Sequence, residues 1–464
     1  MKSRLVESLR KIKDENLVSF HMPGHKNSKK FFTEKLKGLD LIDMDLTEIP
    51  GADHLHDPTG SIMNSQKKLS EFYDSYKSYF LVNGSTGGIL SMIFATTKRN
   101  TKILVNRNAH QSVINGIILN ALDPVYLMPE IDEGSGMILG VTAEALEEKL
   151  SKDSQIKTVL LTYPSYEGIC FDIQKISKIV RKYNCYLIID EAHGSHLLCH
   201  EELPISACKS GADIVVQSAH KNLPAFTQGA FLHLYNKDLE ASIEKYLRIF
   251  QSSSPSYLIM ASLDLSIDFL IKESHLKTKV LIDEVKDFVN KLKKTSYEVI
   301  NWGIYYNRSP FTFDPTKIII SALPIGLSGK RLEELLRYKY SIQIEYSTDN
   351  FIVLITSALN VSNDFEKLYC ALKSIEEKYG KKKISSKKAL ILDDVIVKIK
   401  PDQIENLNYV VKNIYECLGK IAYESVIPYP PGIPLINPGE EITYEALKKL
   451  KTIVNELKIV EEKR

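Results

Sequence analysis

From about residue 78, short apolar runs alternate with segments that carry apolar residues at helical spacing. Runs rich in β-branched and aliphatic side chains are typical of strands that are buried on both faces. They predict strands at residues 79–83, 102–105, 157–161, 185–189 and 213–216. The segments between them predict helices at about residues 87–97, 110–121, 142–151 and 173–183. This alternation predicts a mainly parallel central sheet with helices on both faces.

The chain on either side of this central pattern has a different character. Residues 1–60 are punctuated by Pro and Gly and predict a loop-rich N-terminal arm, which opens with a charged amphipathic helix. Residues 257–300 predict mostly helix. Past residue 310, apolar runs at 317–323 and 351–356 alternate with helical spacing, which predicts a smaller α/β domain.

A basic, Ser-containing break at residues 379–388 precedes the last segment of the chain. It lacks the interleaved aromatic residues of a nucleic-acid surface, so we interpret it as a solvated linker. The last segment contains Tyr429-Pro-Pro-Gly-Ile-Pro-Leu435, which predicts a rigid turn packed against the body. We therefore expect an arm at residues 1–60, a large domain at 61–300, a small α/β domain at 301–380 and a C-terminal domain at 381–464.

Composition excludes several classes of protein. With 44% hydrophobic residues, 25% charged residues and a net charge of +2, the chain lacks the strong positive charge that would attract nucleic acid or a membrane surface. Its six cysteines lack CxxC spacing, which favours free thiols in a reducing compartment. The most apolar segment, residues 257–271, is interrupted by Asp264 and Asp268, and the N-terminus lacks the apolar run of a signal peptide. We expect a cytoplasmic protein without a nucleic-acid or membrane partner.

A lysine follows the predicted strand at 213–216 directly, in Ser218-Ala-His-Lys-Asn-Leu-Pro-Ala-Phe-Thr-Gln-Gly229. Burial disfavours the charged form of an amine and so favours the neutral, nucleophilic form, which Schiff-base chemistry needs. Lys221 is therefore the candidate for an imine with pyridoxal phosphate. The ordinary alternative is a lysine that extends its ammonium group into solvent. Groups at the other strand ends favour the first interpretation.

Those groups match different parts of the same cofactor. Asn83-Gly-Ser-Thr-Gly-Gly88 joins a strand to a helix, and its amides and hydroxyls suit one phosphate group. Asp190 ends a strand, where a carboxylate can pair with a pyridinium nitrogen. His110 follows another strand and can stack on an aromatic ring. Ligands of parallel sheets bind beyond the carboxyl ends of the strands, so we expect these groups to meet Lys221 there.

Two metal-dependent interpretations fail on spacing. Asp190-Glu-Ala-His193 spells the magnesium-binding box of ATP-dependent helicases, but no GxxxxGK(S/T) phosphate loop is present. Gly326-Leu-Ser-Gly-Lys-Arg331 imitates that loop with the wrong glycine spacing. Residues 193–200 contain an H-x2-H-x2-C-H pattern, but ligands so close in sequence rarely complete a zinc tetrahedron. We expect no metal site.

Taken together, these residues resemble the Orn/Lys/Arg decarboxylases of pyridoxal phosphate fold type I, in their short Gram-positive form. The resemblance covers nearly the whole chain. The family signature S-x-H-K-x-L-x-x-x-(S/T)-Q is met by Ser218, His220, Lys221, Leu223, Thr227 and Gln228. The other matching motifs are His21-Met-Pro-Gly-His-Lys26, Thr47-Glu-Ile-Pro-Gly51, Asp190-Glu-Ala-His-Gly-Ser-His196, Ser254-Pro-Ser-Tyr-Leu258 and Tyr429-Pro-Pro-Gly-Ile-Pro434.

The resemblance implies an α/β fold of type I, with smaller C-terminal α/β domains beside the large one, and bound pyridoxal 5'-phosphate. It implies that Lys221 forms the internal aldimine, that Asp190 pairs with the pyridine nitrogen and that His110 stacks on the ring. Ala192 and His193 would flank the ring. The phosphate would be held by Gly84, Ser85, Thr86, Ser218 and His220.

Enzymes of this family are dimers with sites at the interface, so the resemblance implies a homodimer. Ser253 and Ser254 would then reach the neighbour's phosphate. Ser253 and Ser165 each stand where Thr is common, and His54 replaces an acidic residue, which bears on substrate choice. The chain begins almost at its His21–Lys26 motif, so we expect neither the receiver-like wing domain nor the decameric assembly of the long inducible enzymes.

The activity implied is decarboxylation of a basic L-amino acid in polyamine biosynthesis. Arginine to agmatine is favoured over lysine to cadaverine or ornithine to putrescine. Lys221 and His220 are the candidate donors of a proton to Cα, and His193 is a further candidate catalytic residue. A distal cationic group of the substrate needs acidic partners, for which the candidates are Glu48, Asp53, Glu345 and Glu440.

Three other functions remain open at this point. An aminotransferase would use the same cofactor residues, but it would need a keto-acid acceptor and release no CO2. An amino-acid lyase or aldolase of the same fold is a second possibility. A cofactor-binding protein without catalysis is a third, although the presence of both Lys221 and Asp190 argues against it.

Overall fold

The computed structural model of the protein describes residues 4–304, 310–380, 382–386, 395–427 and 434–461. Most of the predicted turn at 429–435 and part of the predicted linker at 379–388 lie outside these residues. The N-terminal arm and the start of the large domain contain α1 (Arg4–Asp14), β1 (Val18–Phe20), α2 (Lys29–Leu36) and α3 (Ser61–Tyr73).

The large domain alternates strands and helices, as the apolar pattern predicts. Its first half contains β2 (Lys77–Leu81), α4 (Gly84–Thr96), β3 (Lys102–Asn106), α5 (Gln111–Leu119), β4 (Asp123–Leu127), β5 (Glu130–Ile131), β6 (Ile138–Gly140), α6 (Ala143–Lys152), β7 (Thr158–Thr162), β8 (Ile169–Cys170), α7 (Ile173–Lys182) and β9 (Tyr186–Asp190). Its second half contains β10 (Ile214–Gln217), α8 (Ala219–Asn222), β11 (Ala230–Leu234), α9 (Glu240–Phe250), α10 (Tyr257–Lys272) and α11 (Ser274–Leu292). The strands predicted from the pattern are all present, shifted by two residues or fewer.

Seven of the described strands form one sheet in the order β2-β11-β10-β9-β7-β3-β4. β11 runs antiparallel to both of its neighbours, and the other adjacent pairs are parallel. This confirms the predicted mainly parallel sheet. The carboxyl ends of β2, β3, β9 and β10 therefore lie at the same edge.

The apolar pattern missed two strands of this sheet, β4 and β11. β4 is an edge strand in which only Pro124 and Leu127 are buried, and its proline weakens a strand signal. β11 is fully buried but carries a histidine as its fourth residue. That histidine, His233, has its ring nitrogens satisfied by Ser78 Oγ at 2.8 Å and Gln217 Oε1 at 3.1 Å. Partners distant in sequence thus make a polar residue acceptable in a buried strand.

Helices cover both faces of the sheet, and alternate strand residues point to opposite faces. Val216 belongs to the core beneath α4, α5 and α9, whereas Val215 belongs to the core beneath α3, α7 and α10. α4 lies close to the sheet at Gly88, where a Cβ atom would be 2.6 Å from Leu81 Cδ1. This close approach places the N-terminus of α4 beside the ends of the central strands.

The small domain contains β12 (Glu298–Val299), α12 (Ile300–Ile304), β13 (Thr312–Phe313), β14 (Lys317–Ser321), α13 (Gly329–Tyr340), β15 (Ile342–Ile344), β16 (Tyr346–Ser347), β17 (Ile352–Ile355) and α14 (Ser362–Tyr379). Its sheet has the order β12-β14-β17-β16, with antiparallel pairs. β1 of the arm pairs in parallel with β15, so the arm is anchored on the small domain. This anchoring determines where the loop after β1 can lie.

The C-terminal segment has a core of its own, which includes Ile436, Ala446 and Leu457. It contains β18 (Tyr409–Asn413), α15 (Tyr444–Leu450) and β19 (Glu456–Val460), and the two strands pair antiparallel. None of the described helices combines the length and the apolar character that crossing a membrane requires.

Candidate active site

Lys221 lies in α8, the short helix that follows β10. Its Nζ is 2.9 Å from His193 Nε2, so the amine has a neutral hydrogen-bond partner. Loss of solvent around the ammonium lowers the pKa of Lys221 from 10.5 to about 8, and Asp190 opposes the shift. A substantial fraction of the amine is therefore unprotonated in mildly alkaline solution, as nucleophilic attack requires.

Asp190 ends β9 and is 2% exposed. Its Oδ1 accepts a hydrogen bond of 3.1 Å from the backbone N–H of Ala192, which is buried in the same turn. Burial raises the pKa of Asp190, while His110 and Lys221 counteract the rise. A cationic partner would stabilise the ionised form of this buried carboxylate, and the protonated ring nitrogen of a bound cofactor would be such a partner.

His110 caps the N-terminus of α5. Its Nδ1 accepts the backbone N–H of Ser112 at 3.2 Å, so Nδ1 carries a lone pair in this arrangement. Loss of solvent lowers the pKa of His110, and Lys221 lowers it further. Both effects disfavour the imidazolium form, and part of the residue still reaches solvent at the edge of the sheet that holds Asp190. A neutral exposed ring suits stacking on an aromatic ligand.

The predicted phosphate-binding turn joins β2 to α4. Gly84 has a φ of +69°, and its N–H donates to the carbonyl of Gln228 at 2.9 Å, which connects this turn to the segment after Lys221. Ser85 is partly exposed and Thr86 is exposed at the start of α4. Ser218 is fully buried, and among the described residues its Oγ has no hydrogen-bond partner. A buried hydroxyl without a partner, beside a helix N-terminus, fits a bound phosphate group.

His220 faces the same region but makes a different contact. Its Nδ1 donates to the carbonyl of Gly229 at 3.0 Å. Burial lowers the pKa of His220 to about 4, so the ring is neutral and its Nε2 carries the lone pair. Because Nε2 carries no proton, it can accept a proton but cannot donate a hydrogen bond to an anion such as a phosphate group.

Ser253 and Ser254 lie apart from these residues, on an exposed loop before α10. The N–H of Ser254 donates to Ser252 Oγ at 3.1 Å, and the carbonyl of Ser252 is 2.8 Å from His56 Nε2. Within the described part of the chain, no hydrogen bond joins either serine to the Lys221 region. Their predicted reach to a neighbouring subunit stays a prediction.

Tyr166 has no role in the sequence-based assignment, although it lies at the centre of the site. Its ring is 4.4 Å from the ring of His193, and the Lys221 Nζ lies 5.9 Å from its centroid. Its hydroxyl donates to Glu345 Oε1 at 2.5 Å. The sequence contains no signal for this contact, because the two residues are 179 positions apart.

The arm forms another wall of the site through the loop after β1. The N–H of Gly24 donates to the carbonyl of His220 at 2.7 Å, and a Cβ atom on Gly24 would be 2.6 Å from the backbone of Asn222. The N–H of Met22 donates to Glu345 Oε2 at 2.8 Å. Only glycine fits at position 24, because a side chain there would collide with the backbone of Asn222. The motif at residues 21–26 therefore connects the Lys221 segment to the small domain.

The candidate carboxylates for a distal cation lie in different environments. Asp53 caps α3, where it accepts backbone N–H groups of Gly60 and Ile62 at 2.8 Å each. Glu440 forms a buried ion pair with Arg107. Glu48 is partly exposed in the arm. Of these four candidates, Glu345 is the one in contact with Tyr166 and so with the Lys221 region.

Comparisons with known proteins cover almost the whole chain. The family model described as Orn/Lys/Arg decarboxylase, major domain, matches residues 3–363, and the model of the C-terminal domain matches residues 401–462. An uncharacterized Bacillus subtilis protein, YaaO, is 34% identical over 98% of this chain and 95% of its own length. The arginine decarboxylase of the same organism is 31% identical over 95% of this chain and 91% of its own length.

The solved structure of the Francisella novicida lysine decarboxylase LdcF covers 95% of this chain and 78% of its own, with a TM-score of 0.79 at 19% identity. At that identity the likeness shows the fold, which is that of fold type I enzymes. The family match includes all of the predicted site residues, from Gly84 to Ser254.

Proposed function

The chain belongs to the Orn/Lys/Arg decarboxylase family, and we propose that it removes the α-carboxylate of a basic L-amino acid by means of pyridoxal 5'-phosphate. Arginine, which gives agmatine, is the substrate that we favour, because the arginine decarboxylase of Bacillus subtilis is similar along most of this chain. The reaction would supply polyamines in the cytoplasm. One observation carries the proposal: the partly buried Lys221 contacts the buried His193 at the sheet edge that also holds Asp190.

The described residues fit the proposed cofactor. Pyridoxal phosphate, when bound, supplies an aldehyde that captures amines and a ring that accepts the electrons of the broken bond. Lys221 would hold the aldehyde carbon, and the buried Asp190 would keep a proton on the ring nitrogen. His110 would cover one face of the ring. The unpartnered hydroxyl of Ser218 and the start of α4 would bind the phosphate.

Proton transfer at Cα requires a group that can both hold and release a proton near neutral pH. Lys221 meets this requirement because its pKa is lowered to about 8. His193 contacts the same amine through Nε2 and keeps it oriented. His220 has a pKa lowered to about 4 and is neutral, so it would first have to accept a proton. Lys221 is therefore the better proton donor of the two candidates.

Glu345 is our candidate partner for the cationic end of the substrate. Both of its oxygens are oriented, one by the Tyr166 hydroxyl and the other by the Met22 N–H. A carboxylate held in this way can still accept hydrogen bonds from a guanidinium or ammonium group. Glu345→Gln should therefore raise KM for the preferred amino acid more than it lowers kcat.

The test is CO2 release by purified protein given arginine, lysine and ornithine separately. The proposal would be supported by CO2 release from one of the three amino acids together with an absorbance band of the bound cofactor that is lost on borohydride treatment. Aminotransferase activity, the nearest rival, would instead show keto-acid-dependent amino transfer without CO2. Absence of any cofactor band would overturn the proposal while leaving the fold unchanged.

We also propose that the protein acts as a homodimer with the sites at the interface. The arm supports this proposal, because it exposes apolar side chains within one short segment: Leu39, Leu41, Ile42, Leu46 and Ile49 are 45–80% exposed. A charged residue there, as in Ile42→Asp, should shift the protein toward monomer in analytical ultracentrifugation. A wild-type protein that sediments as a monomer at micromolar concentration would contradict the proposal.

A further inference from the structure

Lys317, the first residue of β14, is fully buried although it carries an amine. A buried ammonium group is unfavourable unless it is paired or hydrogen-bonded. The adjacent carboxylate, Asp314, is already engaged, because its oxygens contact His196 at 2.9 Å and Thr316 Oγ1 at 2.7 Å. The mechanism proposed above makes no use of Lys317, so its burial needs a separate explanation.

Asn222 links Lys317 to the reacting amine. With its amide oriented so that both polar atoms find partners, Asn222 donates to the backbone carbonyl of His193 at 3.2 Å and accepts from Lys317 Nζ at 3.3 Å. The ring of His193 in turn contacts Lys221 Nζ at 2.9 Å. A continuous path of hydrogen bonds and covalent structure thus runs from the buried ammonium to Lys221.

The stem of Lys317 also packs against the turn that follows Tyr166. A Cβ atom on Gly168 would be 2.6 Å from Lys317 Cγ, and Gly168 has a φ of +85°. The carbonyl of Gly168 accepts the N–H of Asp314 at 2.8 Å. Lys317 therefore supports two walls of the site, the one that carries Asn222 and the one that carries Tyr166.

We propose that Lys317 is a positioning residue: its buried ammonium fixes the amide of Asn222, which holds the backbone of His193 and thereby orients the amine of Lys221. The inference rests on the proposed function only in treating Lys221 as the reacting amine. Lys317 itself touches neither substrate nor cofactor in this scheme.

The positive charge of Lys317 also affects Lys221 directly, because it favours the neutral amine. It lowers the pKa of Lys221, whereas Asp190 and Glu345 raise it, although burial has the largest effect. Removal of the charge should therefore make Lys221 harder to deprotonate. The charged and titratable groups around Lys221 are Asp190, Glu345, His110, His193, His220 and Lys317.

The experiment measures the reactivity of Lys221 in the cofactor-free protein. Wild type, Lys317→Met and Asn222→Ala are labelled with an amine reagent from neutral to strongly alkaline pH, and labelling of Lys221 is followed by mass spectrometry. We expect the midpoint for Lys317→Met to rise by about half to one pH unit, the range expected for one charge near a partly screened site. Asn222→Ala keeps the charge of Lys317 but breaks its link to His193, so it should move the midpoint by less than Lys317→Met does.

The matched control is Asn301→Ala. Asn301 supports the same strand by donating to the carbonyl of Lys317 at 2.7 Å and accepting the N–H of Ile319 at 3.2 Å. It should lower thermal stability without moving the Lys221 midpoint. An unchanged midpoint in Asn222→Ala, or a shift in Asn301→Ala as large as that in Lys317→Met, would overturn the proposal, because the charge of Lys317 can shift the midpoint without the Asn222 link. If Lys317→Met does not fold, Asn222→Ala alone decides.

This measurement is independent of substrate turnover. A shifted midpoint in a protein that decarboxylates no amino acid would uphold the role of Lys317 and refute the proposed function. Conversely, active enzyme with an unchanged midpoint would refute the role of Lys317 alone.

Discussion

Arg107 and Lys221 are cations of the same large domain, but their partners differ. Arg107 Nη2 lies 2.9 Å from Glu440 Oε2, and both side chains are 2% exposed or less. Lys221 contacts the neutral ring of His193 instead. The pKa of Lys221 falls to about 8, so its amine can lose its proton in mildly alkaline solution.

This difference separates a structural charge from a reactive one. The Arg107–Glu440 pair joins the large domain to the C-terminal segment, and Arg107 also donates to the carbonyl of Leu435 at 3.0 Å. Glu440 is therefore occupied and does not suit the distal cation of a substrate. Where a buried cation has a direct carboxylate partner, it holds the fold together. Lys221 contacts a neutral ring and is only partly buried, so it can become a nucleophile, whereas the fully buried Lys317 does not.

The largest effect should come from removing the reactive cation. Lys221→Ala should reduce CO2 release by at least about 1,000-fold, because loss of a catalytic nucleophile usually costs several orders of magnitude. Lys221→Arg is the control that retains a charge without the nucleophile, and it should be equally inactive. Thermal unfolding close to that of the wild type would show that the fold survives. Turnover by either variant would refute the assignment.

Removing the structural cation should act on stability instead. Arg107→Ala leaves Glu440 buried without its partner and should cost about 3–5 kcal/mol in the free energy of unfolding, measured with urea. The double variant Arg107→Met/Glu440→Leu should recover most of this loss, because no unpaired charge remains. A double variant as unstable as Arg107→Ala would show that packing, rather than charge pairing, dominates this contact.

The two cations should also respond differently to pH. The folded pKa of Lys221, about 8, is below the value of about 10.4 for an unfolded lysine. Between these values the unfolded chain binds the extra proton, so the stability of the wild type relative to Lys221→Met should rise as pH increases. A gain on the order of 1–3 kcal/mol is expected for this partly exposed side chain. The stability of the wild type relative to Arg107→Met should change little over the same pH range.

The smallest effect concerns a neighbour of the structural pair. Tyr126 accepts a hydrogen bond from Asn437 at 3.3 Å, and its ring lies 4.9 Å from the Arg107 guanidinium carbon. Tyr126→Phe removes only the long hydrogen bond and should cost less than about 1 kcal/mol. Tyr126→Leu also removes the ring from the cation and should cost about 1–2 kcal/mol in the same urea titration. Equal effects would show that the ring does not stabilise Arg107.

Much of the fold and part of the site were predictable from local patterns. Strands buried on both faces produce continuous apolar runs, so β3, β7 and β9 appear in the sequence within one residue of their observed bounds. Parallel strands place their carboxyl ends at one edge, so Asp190 and Lys221 could be assigned to a common region. β11 escaped prediction because the partners that accommodate His233 come from other strands.

The sequence by itself determined the alternating elements of the large domain, the motifs at their ends and hence the family. Only the tertiary structure decided what each charged group does: it engaged Glu440 with Arg107, brought Glu345 to Tyr166 and buried Lys317 behind Asn222. Strand and helix patterns depend on neighbours within a few residues. The protonation and pairing of a charge depend on burial and on partners hundreds of residues away, and these exist only once the chain is folded.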